Sequence, residues 1–183
     1  ERAVPVPAAL QSFSFNRMYA GDALETIRAW PKGFADAVLA DPTLWRDRGT
    51  SWGRDFGLER TYEEYRGKLF SVAAESFRLL RTGGCFLLLS LGKPLDLKGL
   101  GFHFSQELLP SSGDHRLWIY TKGKRGSWPL ASPPDLVEVP NFPFTVLDPA
   151  FVKELLQRLE GGVLVNLFAG SGSLCRAAKD AGL

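Results

Sequence analysis

The chain is poor in the residues on which several chemistries depend. Two cysteines, Cys85 and Cys175, in 183 residues build no disulfide framework, and no CxxC pair is offered to zinc. The two histidines, His103 and His115, sit in no metal-ligand motif, so no metal is expected. An excess of one charge is also lacking. Lys and Arg number 22 against 20 Asp and Glu, a formal net charge of +2 that neither demands nor excludes a nucleic-acid partner. Long hydrophobic runs are missing: the longest, Phe86 to Leu89 with Leu91 just beyond, falls well short of the roughly 18 residues of a membrane span. The opening Glu1-Arg2-Ala3-Val4-Pro5 does not read as a signal peptide. These absences predict a soluble protein of a reducing compartment, placed in the cytoplasm and away from membranes. Glycine (19) and proline (12) are too sparse for a low-complexity chain, and the length suits one domain with a real core.

What is present alternates between two periodicities. Residues 1–15 are proline-spaced and read as an N-terminal arm, leaving 16–183 as a single domain. Arg17 to Ala20 is a short strand candidate. Ala23 to Trp30 reads as a helix, with Asp22 as N-cap, Glu25 three residues on and Pro31 as the stop. Ala35 to Ala40 is a short apolar run, a buried strand that ends on Asp41-Pro42. Residues 43–60 have no period and read as a loop. The clearest helix is Thr61 to Leu80. Thr61 and Glu64 form a capping box, Tyr62, Tyr65, Leu69, Val72, Ala73, Phe77 and Leu80 recur on one face, and Gly83-Gly84 stops it.

Cys85 to Leu91 is continuously apolar, as a strand covered on both faces should be. Phe102 to Leu109 and Arg116 to Thr121 are further strands, separated by a Pro110 to Asp114 turn. Residues 122–143 form a long connection with a short strand near Leu136 to Val139. Asp148 caps a helix with Pro149 at its first position, running to Leu159 and stopped by Gly161-Gly162. Val163 to Phe168 is a buried strand, followed by Ala169-Gly170-Ser171-Gly172 and a helix from Ser173. The alternation predicts an α/β fold, a mostly parallel sheet with an antiparallel edge and helices on both faces.

Two strand ends carry the chemical information, because ligands of open α/β sheets bind outside the carboxyl ends of strands. At one, glycines let backbone approach a ligand and a helix start offers free N–H groups. At the other, a strand delivers Asp41-Pro42. Each alone also reads as an ordinary tight turn. Asp22 is likewise a sound helix cap in its own right, and Cys85 and Cys175 read as packing residues.

Taken together and in order, these stretches resemble a family. Phe168-Ala169-Gly170-Ser171-Gly172 resembles the F-x-G-x-G loop of S-adenosylmethionine-dependent methyltransferases. Asp41-Pro42-Thr43-Leu44 resembles the D-P-P-Y motif of amino-group DNA methyltransferases, which act on adenine N6 or cytosine N4. Gly21-Asp22-Ala23-Leu24-Glu25 resembles the G-D-x-L-E stretch of the permuted, β-type members, in which the catalytic half comes first and the cofactor loop last. Thr61 to Tyr65 with Leu79 to Gly84, Trp118 to Gly123 and Asp148 to Val152 are similar to that group's helix and turn, late edge strand and pre-loop helix.

The resemblance implies a Rossmann-like methyltransferase fold and a DNA N-methyltransferase of the kind found in restriction–modification. S-adenosylmethionine would be held by Asp22, Ala23, Phe168, Ala169, Gly170, Ser171 and Gly172. Asp41, Pro42 and Trp45 would be the catalytic residues: a carboxylate, a backbone carbonyl and an aromatic ring for a flipped base. Arg46 and Arg48 flank that loop. They, with Lys122, Lys124 and Arg125 in a basic stretch interleaved with Trp118, Tyr120 and Trp128, are the candidate DNA contacts, although a solvated edge strand is the commoner reading of such a stretch.

The motifs depart from the family at named places. Thr43 and Leu44 replace the second proline and the aromatic, Asn166-Leu167-Phe168 stands where D-P-F is usual, and Phe144 to Pro149 places Asp148 where a lysine would meet the cofactor carboxylate. Losing a stacked aromatic costs roughly 1–3 kcal/mol per base. A second reading follows: a catalytically degenerate methyltransferase-fold module that binds nucleic acid or serves assembly. Little chain remains between Gly92 and Pro143 for target recognition, so specificity would come from further chain, a homodimer or a partner chain. A strand expected after the glycine-loop helix would likewise be supplied beyond Leu183 or by a partner.

Overall fold

The computed structural model describes residue 14, residues 17–42, 61–91, 93–108, 115–123, 136–138, 145–147 and 162–169, and residues 172 and 175. The expected 43–60 loop, the helix capped by Asp148 and the helix from Ser173 lie outside the described residues, apart from Cys175.

Helix α1 (Ala23–Arg28) starts where Asp22 accepts the Glu25 amide at 2.9 Å and ends at Ala29. It is shorter than the sequence predicts. The Trp30 amide closes a last tight turn onto the Ile27 carbonyl at 3.0 Å, and Arg78 donates from its guanidinium to the carbonyls of Ile27 and Trp30, so a side chain serves the helix end in place of another helical turn. Strand β1 (Ala35–Ala40) has the predicted limits and is buried throughout. Helix α2 (Tyr62–Leu79) opens on the predicted capping box and buries Tyr65, Leu69, Val72, Ala73, Ser76 and Leu79, whereas Tyr62 at its first turn stays exposed.

The end of α2 corrects the sequence reading. The chain leaves the helix at Leu80, which already pairs with Ala35, and strand β2 (Leu80–Leu91) has begun. Gly83-Gly84 is therefore no helix stop. It belongs to an irregular stretch in which Leu80 faces Ala35 but Cys85 faces Ala37. A side chain at Gly84 would put its Cβ 2.9 Å from the Asp36 carbonyl oxygen, which is why glycine stands there. Strands β3 (Phe102–Leu108) and β4 (His115–Lys122) follow. A separate hairpin joins β5 (Leu136–Glu138) to β6 (Thr145–Leu147), and β6 was not expected from the sequence. Strand β7 (Leu164–Leu167) closes the described part. Arg17 to Ala20 is irregular backbone and not a strand. The Tyr19 hydroxyl donates to the Ser14 carbonyl at 2.9 Å, and no described strand lies alongside.

The sheet order is β3-β4-β2-β1-β7. Strands β7, β1 and β2 are parallel, and β4 and β3 add the predicted antiparallel edge. On one face Val38, Ala40, Phe86, Leu88, Trp118, Tyr120, Val165 and Leu167 pack under α1 and α2. The residues between them, including Leu39, Leu87, Leu117 and Ile119, point to the opposite face and are equally withdrawn from solvent. Among the described residues both helices lie on the first face. Burial on both faces explains the continuous apolar runs.

Candidate functional site

Strands β1 and β7 are neighbours in register: Ala40 faces Leu167, so Asp41-Pro42 and Phe168-Ala169 leave the sheet side by side. This is also where the topology reverses. From β1 the chain crosses through α2 to β2 on one side, and β7 lies on the other. A crevice at the carboxyl ends of such a strand pair is the usual ligand position in an open α/β sheet. The two strand ends that the sequence marks separately are thus brought together by the fold.

Asp41 is half-buried at the end of β1. Burial pushes its carboxyl up to about 7. Among the described residues its carboxylate has no hydrogen-bond or ion-pair partner. A desolvated, unpartnered carboxylate at a strand end is what a reacting or binding group looks like before its ligand arrives.

Across from it, Phe168 takes φ +64°, a left-handed conformation that a bulky side chain adopts only when its surroundings impose it. Its ring packs against the core, and the next residues turn tightly, the Gly172 amide donating to the Ala169 carbonyl at 2.7 Å. Gly172 itself has φ +75°. The terminal methyl of Met18, a side chain 67% exposed, comes within 4.0 Å of where a Gly172 Cβ would stand. The segment leading to Asp22 and Ala23 is thereby set against the glycine turn. The Asp22 carboxylate caps α1 with one oxygen, so its capping role is real. Gly170 and Ser171 lie outside the described residues, as do Trp45, Arg46 and Arg48.

Among the described residues, the aromatics of the expected basic-aromatic stretch do not lie at the surface. Trp118 and Tyr120 are core residues: Trp118 Nε1 donates to Ser90 Oγ at 3.1 Å, and the Tyr120 hydroxyl donates to the Leu95 carbonyl and accepts from its amide. Lys122 Nζ donates to the carbonyls of Phe77 and Leu80 at 2.6 and 2.7 Å and rests over the Phe77 ring at 4.4 Å. It caps the carboxyl end of α2, where the helix dipole favours a cation. It also sits next to Thr121, which faces Cys85 near the start of β2, at the end of the sheet away from Asp41. Lys124 and Arg125 lie outside the described residues. Burial pushes the Cys85 thiol up, which fits a packing role. Among the described residues no cluster of His, Cys, Asp or Glu could hold a metal ion, and no helix is long and apolar enough to cross a membrane.

Sequence reasoning missed Asp36, a nearly buried acid inside β1, and the approach of Met18 to Gly172. An acid interrupting an apolar strand was the available signal for the first. The second had none.

No family model matches the chain, and neither does any curated protein. Solved structures do. A Thermus thermophilus protein provisionally named a DNA modification methylase, complexed with S-adenosyl-L-methionine, is similar at 19% identity and TM-score 0.58, over 87% of this chain and 83% of that one. The cytosine-N4-specific PvuII DNA methyltransferase is similar at 15% identity and TM-score 0.59, over 88% and 77%. The complex of M1.HpyAVI with S-adenosylmethionine gives 17% and 0.51, over 88% and 86%. At such identities the likeness is one of fold, and this chain shares the fold of these proteins.

Proposed function

We propose that this chain is an S-adenosylmethionine-dependent DNA methyltransferase acting on an exocyclic amino group, adenine N6 or cytosine N4. The observation that carries the reading is the in-register meeting of Asp41-Pro42 with the Phe168–Gly172 turn at the point where the sheet reverses. The residues present fit the cofactor. Among the described residues, only the Met18 methyl comes within 4.0 Å of where a Gly172 Cβ would stand, and the carboxyl beside the turn has no partner, a place that a sulfonium cation would fill. Phe168, Ala169, Gly170, Ser171 and Gly172 would hold the methionine end, with Asp22 and Ala23 at the neighbouring segment. The cofactor, when bound, supplies an electrophilic methyl group.

The chain's own part is to make a poor nucleophile reactive. An exocyclic amino nitrogen shares its lone pair with the ring. The Asp41 carboxylate accepts a hydrogen bond from one N–H and the Pro42 carbonyl from the other, which favours the pyramidal nitrogen with its lone pair free. Acceptors placed at the right strand end also align the nitrogen for attack. Asp41 is the stronger acceptor when ionised, so a cation beside it assists by drawing its proton affinity down. Trp45, one position past the motif's aromatic place, is the candidate to stack on the extruded base.

Transfer of labelled methyl groups to adenine-rich and cytosine-rich DNA, single-stranded and duplex, tests the reading. Transfer that needs Asp41 supports it. A protein that binds cofactor by calorimetry and transfers nothing to any of these substrates would instead be the degenerate module to which Thr43 and Leu44 point.

A further inference from the structure

Asp36 is 7% exposed and lies at the amino end of β1, far from the proposed chemistry. Its backbone amide donates to the Val163 carbonyl at 2.9 Å, and the Ala37 amide reaches the same oxygen at 3.2 Å. Its side chain returns the contact: Oδ2 accepts the Val163 amide at 2.8 Å. The other oxygen meets the Arg81 guanidinium, from the irregular start of β2, and Gly84 gives up its side chain to let that stretch approach Asp36. One acid thus joins three strands at the base of the sheet.

The join matters because the hydrophobic pattern of β7 hardly specifies its own register. Val163-Leu164-Val165-Asn166-Leu167-Phe168 is apolar at every position but one. Its positions alternate between half-buried and buried, but a slip by one residue still exchanges apolar side chains for apolar side chains, and only Asn166 objects. Only four residue pairs hold β7 to β1. Such a slip would carry the glycine turn about 3.3 Å along the strand, enough to part it from Asp41.

We propose that Asp36 is a positioning residue: by accepting the Val163 amide it sets the register of β7 on β1, and so holds the Phe168–Gly172 turn beside Asp41-Pro42. The functional half of this rests on the turn being the cofactor pocket; the register half stands without it. Asp36 lies five residues before Asp41, about 17 Å along an extended strand, so its effect on the pocket passes through β7 and not through contact.

Asp36→Asn and Asp36→Leu are the informative pair. Both are close to aspartate in shape and both remove the charge, but only asparagine keeps an acceptor for Val163. Amide hydrogen exchange over residues 163–167 reads the register, and calorimetric titration with S-adenosylmethionine reads the pocket. Asp36→Leu should speed exchange about tenfold or more and weaken cofactor binding by a similar factor, whereas Asp36→Asn should stay within about threefold of the parent in both. If the leucine variant fails to fold, Asp36→Thr takes its place, a strand former whose hydroxyl is too short to reach Val163. Unchanged exchange in the leucine or threonine variant overturns the proposal. So does an equal loss in Asp36→Asn, which would assign the effect to the charge and the Arg81 pair. Should the parent chain bind no S-adenosylmethionine, exchange alone decides the register, and it is the reading of the pocket that fails.

Discussion

Asp41 is where a single residue says most. Its carboxyl is raised from an ordinary 3.8 to about 7 by burial, so between these values the folded chain keeps a proton that the unfolded chain has lost. Asp41's contribution to stability is therefore greatest below pH of about 4, falls as pH rises toward about 7 and levels off beyond. Asp41→Asn should remove that slope, leaving the variant more stable than the parent near pH 8 by up to about 4 kcal/mol, at about 1.36 kcal/mol for each pH unit between the two values. Denaturant unfolding at both ends of the range measures it, and an unaltered slope would mean that another group titrates. The same carboxyl ties cofactor binding to pH. A sulfonium beside it favours the ionised form, so affinity should climb by up to about tenfold per unit as pH approaches 7 from below and then flatten. For the reaction, Asp41→Ala should slow methyl transfer by about 100-fold or more, near 2.7 kcal/mol of barrier. Gly172 behaves differently. The sequence alone suggests that Gly172→Val abolishes cofactor binding and spares stability, but at φ +75° any L side chain is strained by about 1–2 kcal/mol. Both binding and melting temperature should drop, and thermal unfolding distinguishes that from a purely local obstruction.

Among elements, α2 is held at both ends by side chains. The Thr61–Glu64 capping box closes its start, and Thr61→Ala should cost about 1 kcal/mol. Lys122 closes its finish, so Lys122→Met should lower stability by about 1 kcal/mol or somewhat less and leave DNA affinity where it was. A loss of DNA binding without loss of stability would return Lys122 to the surface role that composition suggested. Helix α2 was legible because its period of three and four needs no tertiary information, and β1 because a short apolar run bounded by Asp-Pro has few other uses. The end of α2 was not. Gly83-Gly84 looks like a helix stop, but Leu80 had already left the helix to pair with Ala35, a partner 45 residues away that no local rule names. The same holds for Arg17 to Ala20, extended in composition but with no described strand beside it. Trp118 and Tyr120 looked like a binding surface because alternation with charge suggests an exposed edge, whereas β4 is the second strand in, covered by β3.

For the molecule as a whole, the question is whether the crevice performs chemistry. Leu44→Tyr, which restores the motif's aromatic, should raise base affinity or transfer rate if that loop still faces a flipped base, and should change nothing in a module without chemistry. Labelled transfer by the two proteins side by side decides it. The sequence by itself determined the type of fold, the existence and type of most described elements, and which two strand ends form the candidate site. These follow from local rules: periodicity, capping and the residue types that turns demand. Only the tertiary structure decided that β1 and β7 are adjacent and in register, that Asp41 is desolvated and without a partner among the described residues, that Phe168 is forced into a left-handed turn, and that Lys122 and the β4 aromatics serve the core. Each depends on which strand lies beside which. In a sheet whose strands are apolar on both faces, the side-chain pattern leaves that choice open, and it is made by contacts such as that between Asp36 and Val163, distant in the chain and close in space.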